Sequence, residues 1–277
     1  MTSPATNPKP AVQSPSGSPP ARTFTFEEYC DYDDGTDNRY ELVQGYLQLM
    51  TSPAGLHIVI CEFLVYVFNQ LFADTQTPFR AGKDIGVRTG QKTSRIVDVC
   101  VNGEDFWQQI SQPGEIGIFL LAQTPMLVVE VTSTNEKEDY EAKYQEYAAI
   151  GIPEYWIVSR KRQHVRVCTA AYPGAPYTDR EFVLGERIVS RVLPQLTLTV
   201  DEILNPPAVP QLMAQAQARQ SAAVKQAQKQ ATASEQRAAA SEQRAEASEQ
   251  RVAELEAMLA RYQVQFGNLD SDALENQ

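Results

Sequence analysis

The chain is poor in the residues that most often announce chemistry. Its 277 residues include two histidines, two tryptophans and four cysteines. Cys30, Cys61, Cys100 and Cys168 are scattered without a Cys-x-x-Cys pair, and two lie in apolar stretches. That excludes a disulfide framework or a zinc ribbon and suits reduced core thiols. No Gly-x-Gly-x-x-Gly fingerprint, phosphate loop or zinc-ligand spacing is present. Basic residues are outnumbered, 24 Lys and Arg against 35 Asp and Glu, for a net charge of -11 and a pI near 4.8. Such a chain does not coat nucleic acid through bulk electrostatics, so any such contact must be local or helped by a partner. The N-terminus lacks the apolar core of a signal peptide, and no stretch reads as the roughly 20 apolar residues of a membrane span. A soluble, cytoplasmic protein with no membrane partner is expected.

What is present is apolar patterning. Hydrophobic residues make up 43% of the chain, enough for one sizeable core with length to spare. Residues 1–22 are rich in Pro and Ser and read as disordered. A folded domain is predicted over 23–205. It opens with a short helix, FEEYCDY, capped by Thr25, and a hairpin, YELVQGYLQLM, turning at Gln44-Gly45. HIVICEFLVYVFNQLFADT has the length and spacing of a largely buried helix. GKDIGVR and RIVDVCV read as strands, and Val101 to Pro125 as loop. HVRVCTAAY, REFVLG, ERIVS and LTLTV read as further strands before a helical turn at VDEIL. The class is α/β or α+β, a mixed sheet with flanking helices.

Pro206, Pro207 and Pro210 mark a boundary. Over 206–267 SEQRA recurs at Ser234 and Ser241 and SEQRV at Ser248, a seven-residue period. One heptad position holds Val224, Ala231, Ala238, Ala245, Val252, Leu259 and Phe266. The other holds Ala227, Ser234, Ser241, Ser248, Leu255 and Tyr262. The segment reads either as a coiled coil, which would make the protein a homodimer, or as a single solvated helix. Residues 268–277 read as a disordered tail.

The stretch from Pro125 to Val158 organises the rest. A β-branched apolar run, Met126 to Val131, carries Glu130 in its middle. A helix follows, with Ser133, Thr134 and Asn135 as candidate N-caps and Glu136 and Glu138 at its positive end. Tyr140, Tyr144, Tyr147 and Ala148 share one face, and Gly151 is the expected left-handed stop. A second strand runs from Glu154 to Val158. Strand, helix and strand at this spacing predict a right-handed crossover between parallel strands. The geometry brings Lys143 near Glu130.

Two carboxylates interrupt apolar strands, Asp98 in IVDVCV and Glu130 in LVVEVT. Buried acids need a partner, because an unpaired charge costs several kcal/mol. Each could sit at a wet strand end or pair with an arginine such as Arg95. Converging, they form a pair of hard oxygen ligands for Mg²⁺ or Mn²⁺, with a lysine able to orient or deprotonate water. Asp139, four residues before Lys143, offers the lysine a plain helix-surface ion pair instead. His57 reads as a structural hydrogen-bonding residue, and Tyr155 and Trp156 as core. Lys161, Arg162, His164 and Arg166 form one basic patch, and Arg80, Lys83, Arg88, Lys92 and Arg95 a second, each suited to phosphates or to solvated strand ends.

FTFEEY, RYELVQG, PAGLH, a strand Asp, LVVEVTS, a helical Lys and GIPEYWIV occur here in one order. That order resembles the Uma2 family of restriction endonucleases, within the PD-(D/E)xK nuclease superfamily. The resemblance covers about Thr23 to Leu204. It implies a restriction-endonuclease-like fold and metal-dependent DNA hydrolysis. Asp98 and Glu130 would be metal ligands, Lys143 the catalytic lysine, and Glu41, in YELVQG, the early acidic residue completing the site. The superfamily's lysine position, two after the second acid, is Thr132 here, and the lysine lies on the following helix. A competing expectation is a silent nuclease fold that oligomerises through its C-terminal coiled coil.

Overall fold

The computed structural model describes residues 22–113, 117–132 and 136–266. The segments read as disordered at the two ends, and the N-cap candidates Ser133, Thr134 and Asn135, lie outside the described residues, apart from Arg22. That residue pairs with Glu28 at 2.8 Å. The chain divides into two units, Met1–Val209 and Pro210–Gln277.

In the first unit the order is α1 (Phe26–Cys30), β1 (Tyr40–Val43), β2 (Tyr46–Leu49), α2 (Gly55–Thr75), β3 (Phe79–Gly90), β4 (Thr93–Gly103), α3 (Glu104–Ile110), β5 (Ile118–Phe119) and β6 (Leu127–Val131). A π-turn (Glu138–Ala142) then leads into α4 (Lys143–Ala149), followed by β7 (Glu154–Ser159), β8 (His164–Ala170), β9 (Tyr177–Val183) and α5 (Val200–Leu204). The nine strands form one mixed sheet in the order β2-β1-β4-β6-β7-β8-β9, with β3 on β4 and β5 on β3. β6 and β7 are parallel neighbours, Glu130 beside Ile157.

Local chemistry accounts for most of these boundaries. Thr25 and Glu28 close a capping box at the start of α1, and Thr199 and Glu202 do the same for α5. The hairpin turn places Gln44 at φ 50° and Gly45 at φ 88°, the left-handed pair of a type I′ turn. α4 ends in a Schellman arrangement around Gly151, at φ 81°. The Ile152 amide donates to the Tyr147 carbonyl and the Gly151 amide to Ala148, each at 3.1 Å.

The core lies on both faces of the sheet. Phe68 of α2 packs edge-on against Trp156, while Tyr147 of α4 packs edge-on against Tyr155, which points the other way from the same strand. Both Tyr155 and Trp156 are fully buried. Three of the four free cysteines, Cys61, Cys100 and Cys168, are buried.

Several expectations are corrected. The Val101 to Pro125 stretch contains α3, whose Phe106 and Trp107 are buried. Acidic residues in its first turn and two aromatics one side apart outweigh the loop-like composition. ERIVS and LTLTV form no strands; a single bridge, Arg187 to Thr199, joins them. α2 is buried on one face only, through residues such as Ile60, Leu64 and Phe68, while Ile58 and Val59 are exposed. At 21 residues with a mean hydropathy of 1.7, α2 is also long and apolar enough to cross a membrane, contrary to the expectation that no stretch is. Its buried face lies in the core of this domain. The boundary expected at Pro206, Pro207 and Pro210 falls between Val209 and Pro210, and Pro210 stands in the first turn of α6 (Val209–Phe266), where a missing amide is harmless.

The second unit is α6 itself, a helix of 58 residues. Val252, Leu255, Leu259 and Tyr262 are all more than half exposed along it.

Candidate functional site

The site grows from a fork in the sheet. β3 occupies one edge of β4 along its whole length, so β1 and β6 share the other edge. β1 pairs there at Ser94, and β6 pairs from Val99 to Val101. Between them residues 95–98 have no strand neighbour on that edge, and side chains fill the gap. A Glu41 oxygen accepts the Ile96 amide at 2.9 Å, and Asp98 Oδ2 accepts the Val131 amide at 2.7 Å. Continuing the ladder one step beyond Val99 and Val129 sets Asp98 opposite Glu130, where side chains share a face.

The helix after β6 returns over this fork and supplies the cation. Lys143 Nζ lies 3.0 Å from Glu130 Oε2 and 3.3 Å from Asp139 Oδ1. Both partners weighed for Lys143 are therefore engaged at once. Tyr147 donates its hydroxyl to Glu130 Oε1 at 2.7 Å, so the tyrosine stripe is polar at its tip. The π-turn over Glu138–Ala142 adds a residue to one turn just before Lys143. Such turns recur at functional sites because they re-aim side chains that a regular helix would stack.

The electrostatics show a cluster with too little positive charge. Burial pushes the Glu130 carboxyl well up; Lys143 opposes that shift, and Asp98 and Asp139 add to it. Burial likewise raises Asp139. Burial works against the Lys143 ammonium, but Glu130, Asp139, Glu41 and Asp98 outweigh it and hold the group above its ordinary range. Glu130, Asp139 and the Lys143 ammonium all shift toward keeping their protons, as expected where buried carboxylates converge on one ammonium. Glu130 and Lys143 thus meet, with Asp98 near enough for its charge to reach both.

Glu41 is close enough for its charge to reach Lys143, but its carboxylate is engaged elsewhere. Its second oxygen accepts from Arg95 Nη1 at 3.1 Å. Arg95 is almost wholly buried and does not pair with Asp98 or Glu130. It also binds Glu138 and makes two bonds of 2.8 Å to Glu146. Burial opposes its charge, and the Glu146, Glu41 and Glu138 carboxylates more than offset that.

Two residues that sequence reasoning kept outside the candidate site, His57 as a structural hydrogen-bonding residue and Cys61 as a core thiol, border it. His57 Nε2 stands 3.1 Å from Asp98 Oδ1, and that contact raises its pKa above the ordinary histidine value although burial opposes it. The hydrogen-bonding role expected of His57 is filled, with a candidate site residue as its partner. Cys61 lies one turn further along α2, within 4.8 Å of both groups. The i, i+4 spacing of His57 and Cys61 was the signal available.

Most of the two basic patches is neutralised within the fold. Arg162 pairs with Glu136 at 3.1 Å and Arg166 with Glu181 at 2.6 Å. Arg80 and Lys83 face Glu104 and Glu62. His164 Nε2 is hydrogen-bonded with the Tyr140 hydroxyl at 2.6 Å, and its Nδ1 lies 3.5 Å from Glu181. Burial lowers its pKa, with Arg166 and Arg162 adding to the effect and Glu181 and Glu136 opposing it. A histidine depressed in the folded state contributes stability above its unfolded pKa of about 6.5 and loses it as pH falls through the lower folded value. His164→Gln is therefore expected to flatten the fall in melting temperature just below pH ~6.5. An unchanged slope would count against this assignment.

The model of the Uma2 family, described as "Putative restriction endonuclease", matches residues 26–201. Among solved structures, a crystal structure from Anabaena variabilis described as a "putative nuclease" aligns with a TM-score of 0.52 at 21% identity. It covers 66% of this chain and 98% of that one, a likeness of fold. No curated protein sequence matches the chain. The family match takes in every element from α1 into α5, including the fork and its acids, and the chain belongs to the Uma2 family.

Proposed function

We propose that this protein is a Mg²⁺- or Mn²⁺-dependent endonuclease that hydrolyses phosphodiester bonds in DNA. The observation carrying this reading is the pairing of Glu130 and Asp139 with the single ammonium of Lys143, in a gap between strands, with Asp98 near enough for its charge to reach both Glu130 and Lys143. Hard carboxylate oxygens in excess over positive charge are the donor set that Mg²⁺ and Mn²⁺ favour. Asp98 and Glu130 would hold the ion. When bound, it supplies Lewis-acid polarisation of a phosphoryl oxygen.

The remaining roles belong to the chain's own groups. Lys143 keeps its proton, so it serves as a donor that orients water or steadies charge on the phosphate rather than as a base. Tyr147 and Asp139 fix the Glu130 and Lys143 side chains from either side. Glu41 acts through Arg95 and the Ile96 amide as a positioning residue, holding β4 open at the fork. Four free cysteines fit a reducing compartment, and we place the protein in the cytoplasm.

The test is supercoiled plasmid incubated with the full-length protein. Nicking is expected with Mg²⁺ or Mn²⁺ and none after chelation. Intact plasmid under both metals would end the nuclease reading and leave a scaffold in its place.

The second unit supports a further part of the reading. Val252, Leu255, Leu259 and Tyr262 alternate at three- and four-residue spacing and are exposed, the seam of a two-stranded coiled coil. A homodimer paired through this seam is proposed. Replacing Leu255 and Leu259 together by glutamate in the full-length chain is expected to halve the mass seen by light scattering. An unchanged mass would place dimerisation elsewhere or nowhere.

A further inference from the structure

α2 starts beside the fork and carries His57 and Cys61 one turn apart, so both side chains project from the same helix face. That face meets Asp98. His57 Nε2 is 3.1 Å from Asp98 Oδ1, and a His57 nitrogen, Cys61 Sγ and an Asp98 oxygen all lie within 4.8 Å of one another. Tetrahedral bonds of about 2.0–2.1 Å from nitrogen and oxygen and about 2.3 Å from sulfur separate such donor atoms by roughly 3.3–3.6 Å. The trio's separations therefore need to change by at most about 1.5 Å to surround one ion.

We propose that His57, Cys61 and Asp98 form a second cation site, selective for a thiophilic divalent ion such as Zn²⁺, whose occupation competes with the hard-ion site because both require Asp98. The competition, though not the site itself, rests on the function proposed above. Imidazole, thiolate and carboxylate together suit a borderline ion, whereas Mg²⁺ prefers oxygen ligands alone. The side chains of His57 and Asp98 keep 20% and 16% exposure, so an ion enters past them. Cys61, buried, forms the floor. Binding releases the thiol proton to solvent, and the thiolate and the Asp98 carboxylate together balance the ion's charge. A zinc-loaded protein would be a nuclease held off until zinc is withdrawn.

Co²⁺ titrated into the full-length protein, in buffer with a non-thiol reductant, reports the site directly. A thiolate-to-cobalt charge-transfer band is expected in the near ultraviolet, saturating at one equivalent and displaced by Zn²⁺. Cys61→Ser, which preserves volume, should lose the band while keeping the native circular dichroism spectrum. His57→Ala should weaken Zn²⁺ binding by more than about 100-fold. No band in the wild type, or a band surviving in Cys61→Ser, overturns the site. One equivalent of Zn²⁺ should raise the Mg²⁺ concentration for half-maximal nicking by about tenfold or more, a coupling between sites. An unchanged requirement overturns the competition. The cobalt band is read without nucleic acid. A band in a protein that nicks nothing removes the nuclease reading and keeps this site, and nicking without a band does the reverse.

Discussion

Replacing Arg95 by methionine is expected to lower the unfolding free energy by about 3–5 kcal/mol, the usual penalty for breaking a buried ion pair from one side. Arg95 is 1% exposed, and its guanidinium joins β4 to β1 through Glu41 and to the helix over the fork through Glu138 and Glu146. Methionine fills much of the same volume, so lost packing contributes little. What remains is carboxylate without its counter-ion. Glu146 keeps only the Thr89 hydroxyl, at 2.9 Å, among these partners, and Glu41 keeps the Ile96 amide. If uncompensated charge is the cause, adding Glu146→Gln to Arg95→Met should restore part of the loss. Urea unfolding of the two variants measures this. A single variant as stable as the wild type, or a double variant no better than the single, would refute the argument.

Glu154 shows why an acid in an apolar strand is not by itself a functional signal. It opens β7, is fully buried, and accepts from the Trp156 indole, the Ser190 hydroxyl and the amides of Arg191 and Val192. Four donors satisfy it completely, and its work is to pin residues 190–192 to the sheet. Glu130 differs in its surroundings rather than its burial. It shares its ammonium with a second acid and feels a third. Local sequence cannot distinguish the two cases, because three of the four donors to Glu154 lie more than thirty residues away.

The parts of the fold legible in the sequence are those fixed by short-range chemistry. The hairpin at Gln44-Gly45, the capped helices α1 and α5, the stop at Gly151 and the parallel pairing of β6 with β7 each follow from residues within one supersecondary unit. Asp98, Glu130 and Lys143 were legible for the same reason: a strand, a crossover helix and one neighbouring strand bring them together. Arg95 was read as part of a basic patch or as a partner of Asp98 or Glu130, because its actual partners come from two distant parts of the chain, β1 and the helix over the fork. The engagement of Glu41 with Arg95, and of His57 with Asp98, depends on where β1 and α2 dock along β4, which no local pattern encodes. α3 was missed because its seven residues are too few to show a helical period.

Asp98→Asn separates chemistry from folding more cleanly than any change at Lys143. Lys143→Met would strip Glu130 and Asp139 of their shared cation and destabilise the domain whatever it does to activity. Asparagine at 98 keeps an oxygen for the Val131 amide and sets an amide group beside His57, so the fork retains its hydrogen bonds. Glu130→Gln likewise keeps an acceptor for Tyr147, while Lys143 keeps Asp139. Each variant removes one negative charge from a cluster that has too many, so without metal both should melt at or above the wild-type temperature. Each also removes a ligand charge, and Mg²⁺-dependent nicking should fall by about 100-fold or more. A ligand at 100 times its dissociation constant stabilises the native state by about 2.7 kcal/mol. For a domain of this size that raises the wild-type melting temperature by roughly 5–10 °C. The same Mg²⁺ should leave Asp98→Asn and Glu130→Gln nearly unmoved. Equal metal-induced shifts in all three proteins would mean that the ion binds elsewhere, and nicking that survives both substitutions would take these two acids out of the reaction.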